Sequence, residues 1–132
     1  MSMNIRASAE DYLEAILIIG KRKGSVRSID IANELGFSKP SVSVAMKHLR
    51  ENGYIHMDEG GFITLTDAGF GIADKIYERH CVMTEYFELL GIPTDTAERD
   101  ACKIEHILSN DTFQAIKRQY EKLKSEKNGM QQ

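Results

Sequence analysis

The order of apolar and polar residues predicts a mainly helical chain that begins with two helices of unequal length. Residues from about Ala9 to Lys21 place apolar side chains on one face at helical spacing, and Ser8 with Asp11 resembles a capping box at its start. A shorter helix is predicted over Ser28–Leu35, with Ser28 as its cap and Ile29 among the residues turned inward. Both helices are amphipathic, so each requires a surface to pack against.

A third helix is predicted after a turn of three residues. Ser38 is its expected cap, Pro40 lies in its first turn, and Gly53 closes it. Its inward stripe consists of Val42, Ala45, Met46 and Leu49. A short helix, a tight turn with a glycine and a longer helix are together typical of a helix-turn-helix motif.

The rest of the chain predicts a wing and three more helices. Tyr54–Thr66 fits two short strands around a glycine-rich turn, and Thr66 can cap a long helix that runs to Gly91 and Pro93. Two further helices fit Thr94–Ser109 and Asp111–Lys124. We therefore expect a winged helix-turn-helix DNA-binding domain over residues 1–70. A helical dimerisation domain would follow over residues 71–132 and bury its apolar faces in a homodimer.

Composition is that of a globular protein, and charge is unevenly distributed. Hydrophobic residues make up 42% of the chain, and no stretch without Asp, Glu, Lys or Arg exceeds seven residues. A membrane-spanning helix needs about 20 apolar residues, so we expect a cytoplasmic protein with no membrane partner. The net charge is −3, yet residues 15–56 carry +4 and residues 57–132 carry −5. This asymmetry favours a basic working surface on the first half, although a random solvated surface is the alternative.

The outward face of the third predicted helix suits the major groove of double-stranded DNA. If its apolar stripe faces inward, the outward set is Lys39, Pro40, Ser41, Ser43, Val44 and Lys47. Small side chains allow close approach, hydroxyl groups can bind bases or phosphates, and a valine methyl can contact thymine. Without Arg or Asn in the first two turns, specificity should depend on DNA shape and a second subunit. Candidate phosphate contacts are Lys21, Arg22, Lys23, Arg27 and Arg50, each of which taken alone could be a solvated side chain.

A second group of residues has the donor chemistry of a metal site. Cys102, Glu105 and His106 are spaced i, i+3 and i+4, so a helix puts a thiol, a carboxylate and an imidazole on one face. All three bind divalent first-row metals. His80 interrupts the apolar stripe of the long helix, and two acidic residues share a face of the first helix. The potential ligands are Asp11, Glu14, His80, Cys102, Glu105 and His106.

Each potential ligand also has a structural interpretation. Asp11 could be part of the cap, Glu14 a solvated charge and His80 a hydrogen-bonded core histidine, while the Cys102 cluster could be an incidental polar face. A catalytic pair of Cys102 and His106 is conceivable, but no third orienting group or oxyanion element can be identified in the sequence. We therefore expect that the protein is not an enzyme.

These motifs resemble the DtxR/MntR family of metal-dependent repressors. The resemblance lies in the order of elements, in Ala9–Glu14, in the single His80 of the long helix and in Ala101–His106. It implies a winged-helix repressor of metal-uptake genes that binds a palindromic operator as a homodimer. It also implies two neighbouring metal positions. One would use Asp11, Cys102, Glu105 and His106, and the other Asp11, Glu14, His80 and Glu105.

The sequence combines features of two branches of that family. Iron-responsive members resemble it at Cys102 but usually carry methionine where Asp11 stands, together with an added SH3-like domain. Manganese-responsive members resemble it in length and at Asp11, Glu14 and His80, but usually carry glutamate where Cys102 stands. We expect Mn(II) or Fe(II), with Co(II) or Zn(II) as possible substitutes. The alternative function is a winged-helix regulator that senses a small organic ligand or thiol oxidation through Cys102.

Overall fold

A computed structural model of the protein describes residues 7–130, which form six helices and one two-stranded sheet. The elements are α1 (Ala7–Lys23), α2 (Ser28–Leu35), α3 (Lys39–Glu51), β1 (Ile55–Met57), β2 (Ile63–Leu65), α4 (Asp67–Leu89), α5 (Thr94–Ile104) and α6 (Asn110–Met130). The described residues divide into two compact units, the first ending at Lys75 and the second beginning at Ile76. The predicted boundary after residue 70 stays a prediction. None of the described helices is long and apolar enough to span a membrane.

The first unit is built around α1. This helix packs against α2, α3 and β2, and its residues from Tyr12 to Leu17 are all buried. Leu13 and Ile19 are fully enclosed, as is Ile31 of α2. The predicted capping box is wrong, because α1 already includes Ala7 and so contains Ser8 in its first turn. Ile29 is also misassigned: it is exposed, and Ile31 and Ala32 form the buried face of α2.

The two helices of the helix-turn-helix are delimited by their caps. α2 has Arg27, rather than the predicted Ser28, at its N-cap, and the Asp30 side chain accepts a hydrogen bond from the Arg27 backbone N–H at 2.9 Å. Gly36 ends α2 in the left-handed conformation, with φ of 74°, which glycine adopts without steric cost. Ser38 caps α3 as predicted, since its hydroxyl oxygen accepts from the Ser41 N–H. The caps at Gly36 and Ser38 define the turn between α2 and α3, and so the direction in which α3 begins.

The wing is an antiparallel pair in which Ile55 faces Leu65 and Met57 faces Ile63. Ile63 N–H also donates to the Val26 carbonyl, which ties the wing to the segment before α2. Thr66 caps α4 as predicted: its hydroxyl oxygen accepts from Gly69 N–H at 3.1 Å and donates to the Gly53 carbonyl at 2.7 Å. The first turn of α4 is thereby fixed to the turn between α3 and β1.

The second unit packs α5 and α6 against the later turns of α4. Its core is a cluster of buried residues that comprises Val82, Met83, Ala101, Phe113 and Tyr120. Burial raises the pKa of Tyr120, and its hydroxyl donates to the Glu85 carboxylate at 2.5 Å. Two predicted bounds are wrong: α5 ends at Ile104 instead of Ser109, and α6 continues past Lys124 to Met130. The early end of α5 matters because it falls among the potential metal ligands.

Candidate metal centre and nucleic-acid interface

The outward face of α3 has the composition and exposure that the sequence predicts. Val42, Met46 and Leu49 are buried beneath it. All six predicted groups are exposed, namely Lys39, Pro40, Ser41, Ser43, Val44 and Lys47. The helix therefore presents small polar side chains and two lysines on a base that is held by apolar packing.

Two of the basic residues that precede α2 form ion pairs with acidic residues of α2. Arg22 pairs with Glu34 at 2.9 Å, and Lys23 pairs with Asp30 at 2.7 Å. The Lys23 hydrogen bond lowers the pKa of Asp30, helped by the Arg27 backbone N–H. The two pairs thus place Arg22 and Lys23 beside acidic residues that the charge of +4 over residues 15–56 already includes.

The Arg27 guanidinium is engaged by the wing. It donates to the Gly60 carbonyl and lies over the Phe62 ring, with Cζ 4.3 Å from the ring centre. Arg50 is exposed in the last turn of α3. Both residues are predicted phosphate contacts, and Arg27 in addition holds the turn of the wing.

Helix α1 carries the potential ligands of the first unit. Asp11 is half-buried and Glu14, one turn later, is buried. Between them, the Tyr12 ring packs edge-on against Phe37 in the turn before α3, with ring centres 5.7 Å apart. Burial raises the pKa of Tyr12. The helix that bears the two carboxylates is thus in direct contact with the turn of the helix-turn-helix.

Glu105 is the central acidic residue of the second unit. Its side chain is 0% exposed, and Oε1 lies 2.9 Å from Nδ1 of His80. Because a carboxylate oxygen only accepts, the imidazole donates in this contact. Oε2 has no hydrogen-bond partner among residues 7–130, and its neighbour His106 Nε2 lies 3.8 Å away. The ligand atoms of Glu105 lie within 4.8 Å of those of His80 and of His106.

The end of α5 changes how the predicted cluster is presented. Glu105 keeps helical dihedrals as the C-cap residue, and its N–H donates to the Ala101 carbonyl. His106 lies in the turn that follows, with a side chain only 8% exposed. Cys102 is exposed on α5. The structure thus gathers His80 and His106 about Glu105 and leaves the Cys102 thiol on the surface.

These residues fit a divalent metal ion. An ionised carboxylate that is buried with one oxygen unsatisfied costs free energy, whereas a bound cation would accept that oxygen as a ligand. Imidazole and carboxylate are ordinary ligands for Mn(II), Fe(II) and Zn(II). The donor atoms and the unsatisfied oxygen therefore both indicate a site for a divalent metal ion.

Sequence reasoning missed one buried charged residue beside this cluster. Arg79 is 5% exposed and contacts the backbone of Glu105. A signal was present, because Arg79 falls three residues after Ile76 and four before Met83, on the apolar stripe of α4. An arginine at such a position needs buried hydrogen-bond partners.

Both halves of the chain match models of known protein families. Residues 4–61 match the family model described as the N-terminal DNA binding domain of iron dependent repressors, and residues 66–132 match their metal binding and dimerisation domain. The transcriptional regulator MntR of Escherichia coli O6:H1 is 33% identical over 85% of this chain and 72% of its own length. An uncharacterised HTH-type transcriptional regulator of Methanocaldococcus jannaschii is 34% identical over 89% of this chain and 95% of its own length.

A solved structure shares the fold. The chain is similar to a manganese-dependent transcriptional repressor in complex with manganese, with a TM-score of 0.75 and 27% identity. The match covers 85% of this chain and 52% of that one, so this chain spans about half the length of the solved relative. The family models supply a DNA-binding domain and a dimerisation domain, which makes DNA and a second subunit the partners of the family. The resemblance drawn from the sequence is confirmed: the chain belongs to the family of iron-dependent repressors, which are metal-dependent transcriptional regulators and not enzymes.

Proposed function

We propose that this chain represses genes of metal uptake or homeostasis, and that Mn(II) or Fe(II) activates it for binding to a palindromic operator. The observation that carries the proposal is the buried Glu105 carboxylate, which has one unsatisfied oxygen and an imidazole on either side. We place the protein in the cytoplasm, where its DNA would be.

The proposed metal ligands come from both units. They are Asp11 and Glu14 of the first unit, and His80, Cys102, Glu105 and His106 of the second. Glu105 is suited to serve two neighbouring positions, because its two oxygens are directed to different histidines. The Cys102 thiolate would favour Fe(II), Co(II) or Zn(II), whereas the carboxylates suit Mn(II).

Activation follows from how these ligands are distributed. A bound divalent ion would supply positive charge that offsets the carboxylates. Without that charge, carboxylates that share such a site would repel one another. Because the ligands belong to two units, sharing one ion would limit how the first unit moves with respect to the second. Two recognition helices of a dimer must match half-sites about 34–36 Å apart, so such a limit favours DNA binding.

The DNA contacts are proposed for the exposed face of α3 and the neighbouring basic groups. Lys39, Pro40, Ser41, Ser43, Val44 and Lys47 would enter the major groove, and Arg27 and Arg50 would contact phosphates. Since Arg27 also holds the wing turn, its phosphate contact would fix the wing against the duplex.

The proposal is tested by fluorescence anisotropy of a labelled duplex from the gene's own promoter. We expect little binding with excess chelator and tight binding with Mn(II) or Fe(II), compared against Zn(II). Glu105→Gln should abolish the metal response and leave a folded dimer. Glu98→Gln, an exposed acidic residue of α5, is the matched control and should respond as the wild type does. Equal binding with and without metal would refute the proposal and favour a sensor of an organic ligand or of thiol oxidation.

A further inference from the structure

We infer that Arg79 is a positioning residue of the proposed metal site, which holds the backbone turn that presents Glu105 and His106. The inference rests on the proposed function and adds a residue outside the ligand set. Its basis is a pair of hydrogen bonds: Arg79 Nη1 donates to the Glu105 carbonyl at 3.2 Å and to the Leu108 carbonyl at 2.6 Å.

The turn after α5 needs such a donor. The last carbonyls of any helix have no partner within the helix and must find one elsewhere. Here the N–H groups of Ile107 and Leu108 both return to the Ile104 carbonyl. The carbonyls of Glu105 and Leu108 then receive the Arg79 guanidinium, which spans the turn from one end to the other. The conformation of the segment that carries Glu105 and His106 is therefore set by a side chain of α4.

Arg79 is held in place by its own surroundings. It is 5% exposed, and its Cζ lies 5.1 Å from the centre of the Phe113 ring, which is itself buried in α6. Nε has no hydrogen-bond partner among the described residues. Burying a guanidinium with only carbonyls and a ring as partners is costly compared with an apolar side chain of similar length. An apolar residue would fill this space at lower cost, but it could not hold the turn.

Arg79 and His80 together fix Glu105 at both ends. Successive residues of α4 contact the same glutamate, with Arg79 on its backbone carbonyl and His80 on its carboxylate. Partners of this kind, one step removed from the metal, typically affect metal affinity by about 10- to 100-fold. Arg79 would thus act on the site without binding the metal.

The test uses the full chain with Arg79→Met, which keeps an unbranched apolar stem beside Phe113 but removes the donors. Hydrogen exchange of the metal-free protein should show faster exchange of the Glu105, Ile107 and Leu108 amides. Titration with Co(II), followed by its visible absorption, should show affinity reduced by about 10- to 100-fold and an altered spectrum. Arg79→Lys retains one donor group and should recover part of both properties.

Two controls separate this inference from the proposed function. Arg118→Met changes an exposed arginine of α6 and should match the wild type in both measurements. Glu105→Gln should lose Co(II) binding; if it binds normally, the proposed ligand set fails, while the exchange of the metal-free turn still tests Arg79. Wild-type exchange and wild-type Co(II) affinity in Arg79→Met would overturn the inference. If Arg79→Met does not fold, Arg79→Lys decides, since unchanged affinity and spectrum there would also overturn it.

Discussion

The exposed face of α3 and the buried cluster around Glu105 hold their functional groups in opposite ways. In the first unit, the proposed DNA contacts are exposed on α3, and the residues that hold the helix are the buried Val42, Met46 and Leu49. In the second unit, Glu105 and Arg79 are themselves buried and are fixed by hydrogen bonds to one another's segments. The functional side chains of α3 therefore face solvent above a buried apolar layer, whereas Glu105 and Arg79 lie inside the core.

This difference determines how stability and function are related. Residues of the exposed face can change with little effect on folding, because surface substitutions usually alter stability by less than about 0.5 kcal/mol. A buried carboxylate that awaits a cation instead lowers the stability of the metal-free protein. Function and stability are therefore separable on the exposed face of α3 and opposed at Glu105.

The largest effect on stability is expected at Met46 of α3, and its exposed neighbour Lys47 provides the contrast. Met46 is 1% exposed, so Met46→Ala should destabilise the first unit by about 2–5 kcal/mol. Lys47→Ala, at the adjacent exposed position, should weaken DNA binding and leave stability and metal affinity unchanged. Urea denaturation and anisotropy measure the two properties. If Lys47→Ala lowers metal affinity instead, the proposed separation of functions in the first unit is wrong.

A substitution at Glu105 is expected to have the opposite effect, a gain in the stability of the metal-free protein. Glu105→Leu removes a buried acceptor with an unsatisfied oxygen, and His80 is 29% exposed and can bond to water. Denaturation with chelator present should show a gain of about 1–3 kcal/mol, while added metal should no longer stabilise the variant. Glu98→Leu, at an exposed position of the same helix, should be nearly neutral. A loss of stability in metal-free Glu105→Leu would contradict the opposition of function and stability.

The smallest effect is expected for the half-buried Asp30 of the first unit, whose side chain is 18% exposed. The Lys23 hydrogen bond lowers the pKa of Asp30, so this carboxylate stabilises the fold above its unfolded pKa and loses that effect as pH falls through the lowered folded value. Asp30→Asn should cost at most about 1 kcal/mol at pH 7, and thermal denaturation should show the difference shrinking below about pH 4. A difference that does not change with pH would mean that the ion pair contributes nothing.

Most of the first unit could be predicted from the sequence. The cap at Ser38, the turn at Gly36 and the wing strands follow from local rules, and each lies where those rules place it. The apolar pattern wrongly assigns Ile29 to the buried face of α2. The other errors are at helix starts, where Ser8 and Ser28 resemble caps but lie inside α1 and α2. Serine is common both at a cap and in the first turn, so its presence alone leaves the start undetermined by about one residue.

The second unit was less predictable for a physical reason. The spacing of Cys102, Glu105 and His106 favours one continuous helical face, but α5 ends at Ile104. The carbonyls of the turn that follows bind Arg79, which lies 26 residues before Glu105. No local pattern contains that contact. The exposure of Cys102 and the burial of Glu105 follow from the same tertiary arrangement.

At the start of α4, where the Gly69 N–H binds Thr66, the backbone also lies close to the Tyr54 carbonyl, and this has a consequence for genetics. A methyl group at Gly69 would lie 2.0 Å from the Tyr54 carbonyl oxygen, whereas one at Gly71 would meet no atom within 4 Å. In a saturation library selected for repression, position 69 should therefore be depleted of all other residues as fully as a ligand position. Position 71, two residues along, should tolerate alanine. Intolerance at residue 69 would mark the junction between wing and helix, where backbone meets backbone.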